Sequence, residues 1–147
     1  MKTRVLVVDD EEQFARALAE RLGIRDYDAE TCFRGEDAVK TVQKYNFDVI
    51  ILDVLMPGMD GIQTLREIKR IKPLTEVIML TGNATVETAI EGMKLGALDY
   101  LMKPCETEEL VAKNEKAHSR KREHEERIRE ARVKEIISSP RSVFKED

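Results

Sequence analysis

A chain of 147 residues, 41% of them hydrophobic, is long enough to bury one full core and too short for two domains of ordinary size joined by a linker. Its 29 acidic residues against 25 Lys and Arg leave a net charge of −4, which excludes the overall positive field that gathers nucleic acid or anionic membrane without help. Cys32 and Cys105 stand far apart without a second Cys or a His at ligand spacing, no apolar run approaches bilayer length, and Met1-Lys2-Thr3-Arg4 carries no signal-peptide pattern. A reduced, cytoplasmic protein is expected.

The apolar run Val5-Leu6-Val7-Val8 predicts a first strand buried on both faces, and Phe14, Leu18 and Leu22 recur at the spacing of one helix face. Residues 27–32 alternate between apolar and polar, which suits an edge strand, and Val39 and Val42 mark a second helix. Val49-Ile50-Ile51-Leu52 is again continuous and β-branched; Ile62, Leu65 and Ile68 follow as a helical stripe. Val77-Ile78-Met79-Leu80 predicts a fourth strand, with Val86, Ala89, Ile90 and Met93 on one face of the helix after it. Leu98-Asp99-Tyr100-Leu101-Met102 and then Leu110, Val111 and Ala117 complete a fifth pair, with Asn114 interrupting the last stripe.

Turn residues agree with these phases: Gly23, Gly35, Pro57-Gly58, Pro73, Gly82 and Gly96 fall between repeats. Strand followed by helix five times, with short connections, predicts an α/β fold with right-handed crossovers: a doubly wound, five-stranded parallel sheet of order 2-1-3-4-5, flavodoxin-like in topology. The expected domain is residues 1–117. Residues 118–147 form a charged helical extension and a loose tail, with Glu123 and Arg127, Glu125 and Arg129, and Glu130 and Lys134 at stabilising spacing until Ser138-Ser139-Pro140 ends the helix. His118 and His124 are expected to face solvent, and Ile128, Val133, Ile136 and Ile137 could seat a partner helix.

In such a sheet, ligands bind beyond the carboxyl ends of the strands where the strand order reverses. Asp9 and Asp10 end the first strand and Asp53 the third, so three acids share one crevice. Like charges at close range need a cation or hydrogen bonds to offset them, and hard oxygen donors favour Mg²⁺. Lys103, ending the fifth strand, brings a second positive charge; Thr81, ending the fourth, brings a hydroxyl, with Gly82 leaving room beside it. A carboxylate, a divalent ion, a lysine and a hydroxyl at one point suit in-line phosphoryl transfer to the carboxylate. Asp53 stands alone and is the acceptor; the adjacent pair Asp9 and Asp10 holds the metal. Taken singly, Asp9 and Asp10 would be helix-start acids, Lys103 a solvated charge and Thr81 a turn residue.

From Met1 to about Ala117 these residues resemble the receiver domains of bacterial two-component response regulators. Val7-Val8-Asp9-Asp10-Glu11 resembles the family's acidic pocket, Leu52-Asp53-Val54-Leu55-Met56-Pro57-Gly58-Met59-Asp60-Gly61 its acceptor loop, Thr81-Gly82 its switch hydroxyl, and Lys103-Pro104 its lysine and proline. The segments 84–90 and 99–104 further resemble receivers of activators of the alternative sigma factor sigma-54.

The resemblance implies a Mg²⁺ ligated by Asp10, Asp53 and the backbone carbonyl of Leu55, with Asp9 acting through water. It implies phosphorylation of Asp53 by a sensor histidine kinase or a histidine phosphotransfer protein, movement of Thr81 toward the phosphoryl group and inward turning of Tyr100. Read without the resemblance, Tyr100 is an aromatic packed at a strand end. The implied output is a face made of the fourth helix, fifth strand and fifth helix, open to a downstream target protein or a homodimer. No nucleic acid or membrane contact is expected; no ATPase and no helix-turn-helix follows, so output is expected through protein contacts. Cys105 stands where the family commonly has Phe, and Leu55 and Asn83 occupy variable positions beside the acceptor.

Two other functions use similar topology. A hydrolase of the haloacid-dehalogenase type needs a second acid two residues beyond its nucleophile, where this chain has Leu55. A small flavin-binding domain needs a phosphate-cradling loop after the first strand, where two carboxylates would repel the phosphate.

Overall fold

The computed structural model describes residues 2–54, 56, 60–82, 86–103 and 107–138. Leu55, Pro57, Gly58, Met59, Asn83, Ala84, Thr85, Pro104, Cys105 and the tail from Ser139 onward lie outside the described residues, as do the side chains of Val86, Val133, Lys134, Ile136 and Ile137.

The chain alternates β1 (Arg4–Val8), α1 (Glu12–Ile24), β2 (Asp28–Cys32), α2 (Gly35–Lys44), β3 (Val49–Leu52), α3 (Gly61–Ile71), β4 (Glu76–Thr81), α4 (Val86–Lys94), β5 (Asp99–Met102) and α5 (Thr107–Ser138). All four strand pairings are parallel and the order is β2-β1-β3-β4-β5, as the alternating pattern predicts. The strand with alternating polarity, β2, is indeed an edge. In register, Val8 lies beside Leu52 and Cys32, and Thr81 beside Met102, so β1, β3, β4 and β5 end along one rim.

The continuous apolar runs are explained by two cores, one on each sheet face. Leu6, Val8, Ile50, Leu52, Val77 and Met79 point to one face, where they pack with Ala38, Val42, Leu65 and Ile68 of α2 and α3. Val5, Val7, Val49, Ile51, Ile78 and Leu80 point to the other, against Ala15, Leu18 and Leu22 of α1 and Leu110 and Ala117 of α5. Each such side chain taken fully from water contributes about 1.5–3 kcal/mol before entropy is set against it.

Several local expectations are corrected. The stripe on α4 does not face the core throughout: Ile90 and Met93 are exposed, while Gly92 is buried against Met79. A β-carbon on Gly92 would lie 2.2 Å from the Met79 sulfur, so a side chain there would push the end of Met79 aside. Gly23 belongs to the last turn of α1 and Gly35 opens α2 rather than preceding it; the left-handed residue after α1 is Asp26, at φ 69°. Asn114 does not leave the α5 stripe but is fully buried in it, and neither amide atom has a hydrogen-bond partner among the described residues.

The extension is one helix with α5, running unbroken to Ser138. Its partners differ from those predicted by spacing: Glu125 pairs with Lys121 at 3.1 Å and Arg129 with Glu126 at 3.0 Å. Its first turns also touch the sheet's lower end. Arg120 lies 3.9 Å from buried Glu76, and His118 and Lys121 each lie 3.9 Å from Asp48, so His118 is half-buried rather than solvent-facing. Among the described residues, no helix is long and apolar enough to cross a membrane.

Candidate functional site

Three polar residues at the rim are fixed by one more rung of ladder bonding past the ends of their strands. The Asp53 N–H donates to the Val8 carbonyl at 2.9 Å, the Asp9 N–H to the Cys32 carbonyl at 3.1 Å, and the Lys103 N–H to the Thr81 carbonyl at 2.9 Å. Because β1 and β3 are neighbours across the point of order reversal, carboxylate oxygens of Asp9, Asp10 and Asp53 come within 4.8 Å of one another. Asp9 and Asp53 are buried, 2% and 6% exposed, and Asp10 stands open at the mouth. Three hard oxygen donors at this spacing suit a small divalent cation that keeps waters in its remaining positions.

Lys103 enters the same crevice from β5. Its Nζ donates to Asp9 Oδ2 at 2.6 Å and to Glu11 Oε1 at 3.1 Å, and lies 3.8 Å from Asp53 Oδ2. The ammonium also sits over the Phe14 ring, 4.2 Å from its centroid. Burial works to lower the Lys103 pKa, but the hydrogen bonds it donates to Asp9 and Glu11, with the charges of Asp9 and Asp53, outweigh it and hold the group above the usual lysine range. The lysine is therefore a fixed positive charge at neutral pH.

Thr81 is buried at the end of β4. Among the described residues, a β-carbon on Gly82 would meet only Lys103 Cδ, at 4.0 Å. Gly61 is different: a β-carbon would lie 2.2 Å from the Asp53 carbonyl oxygen, and its N–H donates to the Val54 carbonyl at 2.8 Å. Glycine at the first position of α3 lets that helix abut the backbone carrying Asp53. Asp60 caps the same helix: its carboxylate accepts from the Gln63 N–H at 2.9 Å and the Gln63 side chain accepts from the Asp60 N–H at 3.3 Å.

The response regulator receiver domain family matches residues 5–115. The chain belongs to that family. Receiver domains of response regulators are signalling switches of two-component systems. The chain is 40% identical over 122 residues to the transcriptional regulatory protein ZraR of Salmonella typhimurium strain LT2, covering 83% of this chain and 28% of the relative. It thus spans about a quarter of the length of this relative and of the regulatory protein AtoC of Escherichia coli strain K12, and about half that of the transcriptional regulatory protein YkoG of Bacillus subtilis strain 168. Among solved structures, a CheY-like receiver domain from Methanospirillum hungatei JF-1 superposes with a TM-score of 0.80 at 26% identity, over 84% of this chain and 99% of that one. A response regulator from Burkholderia pseudomallei, solved with a phosphorylated aspartic acid, calcium ion and citrate, gives 0.73 at 31% identity, over 76% and 65%.

The receiver's rim thus brings together Asp9, Asp10, Asp53 and Lys103, with Thr81 at the adjoining strand end. Leu55, whose carbonyl the resemblance implies as a ligand, lies outside the described residues. Tyr100 is half-buried on β5 beside Met79, its ring against the core of the α2–α3 face and its hydroxyl buried without a hydrogen-bond partner among the described residues. Its neighbour Asp99 is tied to Lys113 of α5 at 2.6 Å, which joins β5 to that helix. Sequence reasoning gave Phe14 only a place in the α1 stripe, named Glu11 and Gly61 only within longer motifs with no role of their own, and did not name Gly92. A glycine at a helix start or within a helix face is the signal that finds the last two; an acid at a helix start has a commoner explanation.

Proposed function

We propose that this receiver accepts a phosphoryl group on Asp53 from a sensor histidine kinase or a histidine phosphotransfer protein, and answers by changing the surface formed by α4, β5 and α5. The observation that carries this reading is the convergence of Asp9, Asp10 and Asp53 beyond the adjacent ends of β1 and β3 with the Lys103 ammonium directed into the same crevice.

Asp9, Asp10, Asp53 and the Leu55 carbonyl would hold the cation, for which Mg²⁺ is the natural choice of hard-oxygen chemistry. When bound, it supplies positive charge that relieves repulsion between the carboxylates and an incoming phosphoryl group. The chain's own part is positional. Ladder bonds and Gly61 fix the Asp53 backbone, so its carboxylate oxygen can form the new bond to phosphorus as the donor's bond breaks and takes the electron pair away. Lys103 neutralises charge on the transferred oxygens, and the Thr81 hydroxyl donates to one of them.

With Thr81 drawn toward the phosphoryl group, Tyr100 settles into the vacated space, a reading supported by its buried hydroxyl, which has no hydrogen-bond partner among the described residues. Exposed Ile90, Met93 and Met102 give the α4–β5 surface apolar contact area for a downstream protein or a second copy. Residues 1–117 make up the switching unit, and the helix beyond it carries the connection.

Mass spectrometry after treatment with acetyl phosphate tests the acceptor. Wild type should gain one phosphoryl group in a manner dependent on Mg²⁺, and Asp53→Asn should gain none. Equal labelling of the two proteins would refute Asp53 as the acceptor.

A further inference from the structure

Glu11 occupies the N-cap position of α1, yet its side chain makes no capping hydrogen bond. It turns across the crevice instead and accepts from Lys103 Nζ at 3.1 Å, while its own N–H donates to Asp9 Oδ1 at 3.0 Å. Glu11 is 67% exposed, against 3% for the Asp9 side chain that shares the same ammonium. An ammonium has three N–H donors. Asp9 and Glu11 take two, and Asp53, at 3.8 Å, stands beyond hydrogen-bond length.

We propose that Glu11 is a removable counter-ion of the phosphoacceptor site: it holds Lys103 while the site is empty and must give up that ammonium to the incoming phosphoryl group, which makes the site slow toward small anionic phosphodonors. The inference rests on the reading of Asp53 as acceptor. Asp9 is the poorer candidate for this part, because its carboxylate is buried at the bottom of the crevice and is committed to the cation site and the Glu11 N–H, whereas Glu11 returns to water at little cost. Phe14 completes the device. Its ring face keeps the ammonium in place, so that Lys103 stays in the crevice when Glu11 leaves. Glu11 also adds a negative charge at the mouth that a dianionic donor must approach, and as a solvent-exposed charge its effect is screened by salt.

Glu11 is a positioning residue, and Glu11→Gln is a surface substitution that leaves the fold intact. In the labelling reaction the Asp53 oxygen bonds to phosphorus as the phosphorus–oxygen bond of acetyl phosphate breaks and the electron pair leaves with acetate. With Mg²⁺ present and low salt, Glu11→Gln should label at Asp53 roughly threefold or more faster than wild type. The ratio should fall toward one as ionic strength rises, a trend that a purely structural role would not produce. A variant no faster than wild type, or a ratio insensitive to salt, would overturn the counter-ion role alone. Labelling absent from wild type, or surviving in Asp53→Asn, would overturn the acceptor assignment and the inference with it.

Discussion

A β-carbon on Gly61 would sit 2.2 Å from the Asp53 carbonyl oxygen and 2.4 Å from Val54 Cα, both backbone atoms that cannot swing aside. Gly61→Ala should therefore lower stability by about 1–3 kcal/mol and slow phosphorylation, because relief of the clash displaces the acceptor backbone. Urea denaturation and the acetyl phosphate labelling rate check the two parts; an alanine variant with unchanged midpoint would mean that α3 can retreat without strain. At this scale the site was largely legible from the sequence. Asp9, Asp53 and Lys103 each stand one residue past an apolar strand, and parallel strands end on one rim, so the positions converge by topology. Glu11 was hidden because an acid beside a helix start already has a sufficient explanation in the free N–H groups there. Only the side-chain direction separates the two roles.

Asn114 presents the opposite case, a polar residue that the α5 stripe swallows whole. Its amide is desolvated and unpaired among the described residues, so Asn114→Leu should raise stability by about 1 kcal/mol or more, read as a higher urea midpoint with unchanged slope. A lower midpoint would show that the amide has a partner or that the site lacks room for leucine. The strands were legible as elements because burial on both faces leaves no polar alternation to confuse the pattern. On α4, periodicity correctly gave a helix and an apolar stripe but did not say where the stripe points. Ile90 and Met93 repeat at core spacing yet lie on the surface, since hydrophobic spacing marks a contact face without saying whether the contact lies within the molecule or outside it.

Across the whole molecule, α5 is bound to the rest of the chain at intervals along its length: Glu108 to Arg25 at 2.5 Å, Lys113 to Asp99, Glu115 to the Tyr27 hydroxyl at 2.5 Å, and Arg120 to Glu76. The Tyr27 bond joins the α1–β2 junction to α5, and burial, followed by the Glu115 hydrogen bond and charge, pushes the phenol pKa well above its ordinary value. The raised folded-state pKa makes this contribution fully present below the unfolded value of about 10 and progressively lost as pH rises through the folded value. Wild type should thus lose stability above about pH 10 by a slope that Tyr27→Phe lacks, with the variant about 1 kcal/mol less stable at pH 8. Parallel pH dependences of the two urea midpoints would argue against the bond.

The same helix continues without a break for 32 residues, a rod of about 48 Å at 1.5 Å per residue. Its upper turns belong to the surface that α4 and β5 share, and Arg120 and Lys121 rest on Glu76 and Asp48 near its middle. A stiff beam resting on a fulcrum converts a slight tilt of one arm into a sweep of the other. A tilt of the upper turns about those contacts would therefore reach the far end of α5 as a larger displacement, carried along the helix and not through the core.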